Sequence, residues 1–182
     1  MLKETFRKII NFLENEKINY LVIGGIASSL LGEPRFTEDI DICIFIEKDK
    51  IQQILEKFAK EGFTFDVERQ TKRAKLFGTF AIKYDEVRID FIIASTDFEK
   101  EAFNRRQRIE IFGVEANFPS PEDLILFKVV AGRKQDMADA EKIMIRWKEK
   151  IDKEYLIKWA EKFSDMAQDM RIYNEIKKLL EV

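Results

Sequence analysis

Histidine does not occur anywhere in the 182 residues. Its absence excludes the imidazole general base, the imidazole metal ligand and the serine triad built on histidine, so any metal bound here is held by oxygen. Cysteine is nearly absent too. Cys43 is the single one and cannot form an internal disulfide; its place in an apolar strand reads as a small buried hydrophobe rather than a reactive thiol. Long apolar runs are also missing, since none approaches the roughly 18 residues of a membrane span. The opening MLKETFRKIINFLENEK mixes acids and bases through helically spaced apolar residues, unlike a signal peptide. Neither sign of charge is in excess: 32 basic and 34 acidic residues give a formal charge of -2, which offers no argument for nucleic-acid or membrane-surface binding by the molecule as a whole. These absences lead us to expect a cytoplasmic chain with no membrane partner.

What is present reads as an α/β (α+β) protein. Leu2, Phe6, Ile9, Ile10 and Leu13 line one face of an opening helix. INYLVIGG is a buried strand running into a glycine turn, and IASSLLG is a helix that stops at Gly32, with Pro34 beyond. DIDICIFI is the next strand, followed by an amphipathic helix over about 50–60. GFTFDVERQ, AKLFGTFAIKY and EVRIDFIIAS read as further strands, antiparallel neighbours in a mixed sheet, and RIEIFGVEANF as a hairpin about Gly113. PSPEDLILFKVVAG carries proline and acids at its start and glycine at its end, the boundaries of a helix. Two more helices follow, over about 137–150 and 153–180. On the last, Trp159, Phe163, Met166, Met170, Tyr173, Ile176 and Leu180 form a stripe that packs on the preceding helices or, alternatively, makes a homodimer seam. We expect a sheet-bearing core over 1–120 and a helical part over 121–182, packed together as one unit.

Alternate residues of a strand share a face, so Asp39 and Asp41 point one way while Ile40, Ile42, Ile44 and Ile46 point the other. Ionised carboxylates at that spacing repel, and a positive group between them lets both stay charged at neutral pH. Arg35 or Arg88 would serve. So would a hard divalent cation, because magnesium takes one or two carboxylates together with substrate phosphates. VRIDFIIA sets Asp90 in the same way, between Ile89 and Phe91. If its strand lies beside the first, Asp39, Asp41 and Asp90 form one cluster able to hold two metals and to support phosphoryl or nucleotidyl transfer. Gly24 and Gly25 lie at a strand-to-helix turn, where backbone N–H groups can be approached by a phosphate.

Taken together, IGG, 13 intervening residues, DIDI and a later IDF resemble the signature of the nucleotidyltransferase superfamily, which includes DNA polymerase beta, kanamycin nucleotidyltransferase and the CCA-adding enzymes. GGIASSLLGEPRFTEDIDI and PSPEDLILFKVVAGRKQDMADAEKI are similar to its minimal bacterial and archaeal AbiEii-type branch. The resemblance implies a short mixed sheet with helices packed on it, two Mg2+ (or Mn2+) ions on Asp39, Asp41 and Asp90, and transfer of a nucleoside monophosphate from an NTP to a hydroxyl acceptor. Asp90 would also take the acceptor's proton. Gly24 and Gly25 would cradle phosphate, and Arg35 would bind it through its planar fork. Thr37 falls in the same Arg-x-Ser/Thr segment, as a nucleotide contact or only as a turn cap. Lys128 and Arg133 are triphosphate ligands on this reading; the alternative is a helix-end charge at Arg133 and a capping acid at Asp136. Lys134 and Asp139 take no fixed role. The acceptor stays open among RNA, protein and a small alcohol, and a catalytically silent module or a toxin-antitoxin partner of the same fold is the second reading. The basic groups RQTKRAK and NRRQR read as solvated strand edges before an RNA surface.

Overall fold

The opening periodicity folds as helix α1 (Leu2–Asn15), which buries Phe6, Ile9, Ile10 and Leu13 completely. The computed structural model describes residues 1–182. After α1 come β1 (Tyr20–Ile23), α2 (Gly24–Leu31), β2 (Ile40–Ile44), α3 (Ile51–Lys60), α4 (Val67–Phe77), β3 (Thr79–Tyr84), β4 (Val87–Ile93), α5 (Asp97–Asn104), β5 (Gln107–Ile111) and β6 (Val114–Phe118). The helices α6 (Pro121–Ala131), α7 (Lys134–Trp147), α8 (Lys153–Ala167) and α9 (Arg171–Glu181) complete the chain. Two compact units result, one of Met1–Ile26 and Phe36–Phe118, the other of Ala27–Arg35 and Pro119–Val182.

In the first unit the sheet order is β1-β2-β4-β3. β1 and β3 pair antiparallel with their neighbours, whereas β2 and β4 are parallel, which a crossover through α3, α4 and β3 makes possible. One face is fully apolar: Ile40, Ile42, Ile44, Ile89, Phe91, Phe80 and Ile82 are buried. Phe80 stacks on Phe91 with ring centroids 4.5 Å apart, and Phe58 of α3 stacks on Phe12 of α1 at 4.2 Å. The other face carries Asp41, Arg88, Asp90, Thr79, Ala81 and Lys83. β5 and β6 form the expected hairpin, turning through Phe112 and Gly113 with φ of 54° and 78°, a two-residue turn that suits the strand twist.

Two expectations are corrected. The residues from Val67 to Phe77 are helical, not extended. Asp66 caps this helix by accepting from the Arg69 N–H at 2.9 Å, and Gly78 ends it in the left-handed region; the aromatic and β-branched run before Asp66 masked that cap. The basic stretch from Arg69 to Lys75 therefore lies on α4, which covers the edge of β3: the Gln70 side-chain oxygen accepts from the Ala81 N–H at 3.0 Å. The single long helix over 153–180 is instead two, broken at Gln168, whose φ of 53° is left-handed.

In the second unit α7 closes the end of α2. Arg146 donates to the carbonyls of Leu30 and Gly32, and the Trp147 indole donates to that of Leu31 at 2.8 Å. Helix α6 starts at the Ser120 cap and ends at Gly132, and its last carbonyls, of Val129 and Val130, accept from Arg171 of α9. Trp159 and Ile176 are buried within this unit, while Met166 and Met170 of the same stripe are exposed. No helix is long and apolar enough to cross a membrane.

Candidate active site

Strand register decides which carboxylates meet. Asp41 on β2 lies directly opposite Asp90 on the parallel neighbour β4, so both side chains leave one sheet face from adjacent strands. Asp39 stands one residue ahead of β2 and is exposed. The Thr37 hydroxyl donates to the Asp39 carbonyl at 3.3 Å, which is the turn-capping role. On the other side Ile23 of β1 pairs with Asp41, and the next residue, Gly24, opens α2. Gly24 has a φ of +65°, and a Cβ there would sit 1.8 Å from Asp41 Oδ2. Its missing side chain therefore serves both the turn and the space the Asp41 carboxylate occupies. Gly25, buried, follows it.

The positive charge among these acids is Arg88. It stands two residues before Asp90 on β4, hence on the same face, and holds that carboxylate with both arms of its fork: Nε donates to Oδ2 at 2.6 Å and Nη2 to Oδ1 at 2.7 Å. The Asp90 hydrogen bond and charge raise the Arg88 pKa above its ordinary value, and the charges of Asp39 and Asp41 raise it further. One guanidinium thus sits in the field of all three acids. No group of three or more His, Cys, Asp or Glu closes around a metal position, and both Asp90 oxygens accept from Arg88. The donors nonetheless suit a hard divalent cation: they are carboxylate oxygens, two of them from in-register strands, and magnesium needs only one or two such ligands when phosphates supply the rest. Behind Asp41, Cys43 is fully buried, and burial pushes its thiol pKa up, which leaves it neutral and inert.

The remaining expected site residues, Arg35, Lys128 and Arg133, come together in the second unit on two acids of α7. Arg35 grips Asp139 with Nε and Nη2, each at 3.0 Å. The Lys128 ammonium, buried, donates to Asp136 at 3.1 Å and to Asp139 at 2.9 Å. Arg133 Nε donates to Asp136 at 2.6 Å, and the Gln135 amide donates to Asp139 at 2.9 Å. Burial alone would raise the Asp139 pKa, but hydrogen bonds from Arg35, Lys128 and Gln135 outweigh it and lower the value to about 2. Asp136 is lowered as well, burial again being outweighed by Arg133 and Lys128. Paired carboxylates and cations satisfy each other here, as buried charges must. The Arg88 pairing was legible in the spacing of VRID. The Arg35 pairing was not, since nothing local links residues 104 positions apart.

A small mixed sheet with an acid pair opening one strand, a third acid on its parallel neighbour and a glycine turn against the pair defines a nucleotidyltransferase-type fold. Over residues 1–180 the chain matches the model of the family described as "Nucleotidyltransferase of unknown function (DUF6036)", and it belongs to that family. Among solved structures it is similar to an antigenic nucleotidyltransferase-like protein from Paracoccidioides brasiliensis, with 18% identity, a TM-score of 0.54, and 79% of this chain and 75% of that one covered. It is equally similar to the lincosamide antibiotic adenylyltransferase LnuA in its lincomycin-bound form, with 18% identity, a TM-score of 0.55, and 79% and 96% covered. At this identity the likeness is one of fold. No curated protein matches the chain.

Proposed function

We propose that this protein is a divalent-metal-dependent nucleotidyltransferase that moves a nucleoside monophosphate from an NTP to a hydroxyl acceptor. The observation that carries the reading is the in-register pair Asp41 and Asp90, with Gly24 against Asp41 and Arg88 in the field of all three acids. Asp39 and Asp41 would hold the metal, with Asp90 as the third ligand. When bound, Mg2+ or Mn2+ neutralises the triphosphate and polarises the reacting phosphoryl group. On this reading Gly24 and Gly25, which open α2, would cradle phosphate at the start of that helix.

In the transfer, the acceptor oxygen bonds to the α-phosphorus while the bond from that phosphorus to the bridging oxygen breaks. Pyrophosphate departs with the electron pair, and the hydroxyl proton passes to the Asp90 carboxylate. Arg88 fixes the orientation of that carboxylate, whose oxygens keep lone pairs beyond those Arg88 occupies.

The double hold of Arg88 on Asp90 favours one other reading, a module that binds nucleotide without transferring it. Incubation with α-labelled triphosphates, magnesium and separate pools of cellular RNA, cellular protein and a lincosamide distinguishes the two. Transfer of label by the wild type and not by Asp90→Asn supports catalysis. Nucleotide binding without transfer to any pool supports the silent module.

A further inference from the structure

Helix α4 buries a single residue, Ala74, of its 11, yet one of its faces lines a cleft of about 570 Å³, a size at which small-ligand sites occur. Val67, Thr71 and Lys75 form one row of that face at helical spacing, and Glu68, Lys72 and Leu76 form the next. Helix α3 adds Gln52. Val67, Leu76 and the lysine stems make an apolar wall, along which Leu76 is left 64% exposed. The Thr71 hydroxyl oxygen is buried there with no hydrogen-bond partner. A hydroxyl so left is destabilising. Threonine in a helix has a second χ1 rotamer, and turning to it brings the hydroxyl to where another partner can be met.

Charge selects the occupant. Lys72 and Lys75 are three residues apart on the helix, so their Cβ atoms are about 5–6 Å from each other and both stems can reach one anionic group. Neither ammonium is engaged in an ion pair. Glu68 is the one acid of the lining, so two lysines and one glutamate leave the face a net +1. Arg69 and Arg73 fall on the following row, outside the cleft, and Arg73 Nε donates to Thr79 Oγ1 at 3.3 Å. A net +1 beside an apolar wall complements a monoanion with an apolar body, whereas a nucleic-acid backbone calls for a series of cations. We propose that the cleft between α3 and α4 binds a medium-chain carboxylate. Its head lies on Lys72 and Lys75 and accepts from the Thr71 hydroxyl, and its chain runs along Val67 and Leu76. All seven lining residues belong to the first unit, and none is a residue of the carboxylate site on the sheet.

The test is calorimetric titration of hexanoate, octanoate and decanoate, with 1-octanol and octyltrimethylammonium as controls, into the wild type, the double variant Lys72→Gln/Lys75→Gln, Leu76→Ser and Thr71→Val. A fully buried methylene is worth about fourfold in affinity, so in a cleft open to solvent the affinity is expected to climb by about twofold or more per carbon from hexanoate to decanoate. The double lysine variant is expected to bind octanoate about tenfold or more weakly and to lose its preference for octanoate over octanol. Thr71→Val is expected to weaken octanoate about fivefold and, by removing an unpaired hydroxyl, to raise the Tm of the ligand-free protein. No saturable binding of decanoate, equal affinity for octanoate and octyltrimethylammonium, or octanoate affinity unchanged in both the lysine variant and Leu76→Ser would overturn the site. So would a wild-type dimer, seen by light scattering, that Leu76→Ser dissolves, since a second copy would then fill the cleft.

Discussion

Gly24 combines two demands that no other residue meets. Its φ of +65° is strained for any side chain, and a Cβ would overlap Asp41 Oδ2 at 1.8 Å. Gly24→Ala must therefore either displace the Asp41 carboxylate or shift the turn into α2, and the backbone conformation alone costs about 1–3 kcal/mol. For a chain of this length the expected result is a fall in Tm of roughly 2–10 °C, together with loss of any metal-dependent nucleotide binding. Differential scanning calorimetry checks the first, and an unchanged Tm would show that the turn has room the geometry denies. Arg88 offers the complementary lesson. VRID places arginine and aspartate two apart on one strand face, so the pairing follows from period-2 geometry alone.

At the scale of elements, what was legible followed from period and punctuation. Helix α6 was readable because Pro121, the acids after it and Gly132 mark both ends, and the hairpin about Gly113 because its turn residue stands between alternating strands. The parallel pairing of β2 with β4, which sets Asp41 beside Asp90, was readable only as a condition, since no local signal says which strands become neighbours. Helix α4 was missed because Phe63, Thr64 and Phe65 gave a strand composition to the residues just before its cap at Asp66. The break between α8 and α9 was missed because apolar spacing continues through it. Gln168 occupies there a left-handed position that glycine fills without steric cost, its φ and ψ being 53° and 36°. Gln168→Gly is expected to stabilise the protein by about 0.5–1 kcal/mol, read as a small upward shift of the urea midpoint. A downward shift would mean that the glutamine side chain contributes more than its backbone costs.

Over the whole molecule, a formal charge of -2 conceals a local concentration of charge in the second unit, where Arg35, Lys128 and Arg133 converge on Asp136 and Asp139. Both of those acids have lowered pKa values, so the stability they supply is complete above the unfolded carboxylate value near 4 and is lost as pH falls towards about 2. For Asp139 the drop to about 2 corresponds to about 2 kcal/mol. Trp147 and Trp159 belong to this unit, so tryptophan fluorescence in urea reports on it directly. The midpoint should fall between pH 4 and pH 2 in the wild type, and by less in Asp139→Asn. An equal fall in both would remove Asp139 from the account of acid sensitivity.

The site in the first unit is tested most directly by the affinity of ATP measured calorimetrically with and without magnesium, in the wild type and in Asp41→Asn. Magnesium is expected to raise the wild-type affinity by about tenfold or more and to leave the variant's affinity unchanged. Equal wild-type affinity with and without the metal, or a full magnesium effect in Asp41→Asn, would contradict metal-dependent nucleotide binding at Asp39, Asp41 and Asp90.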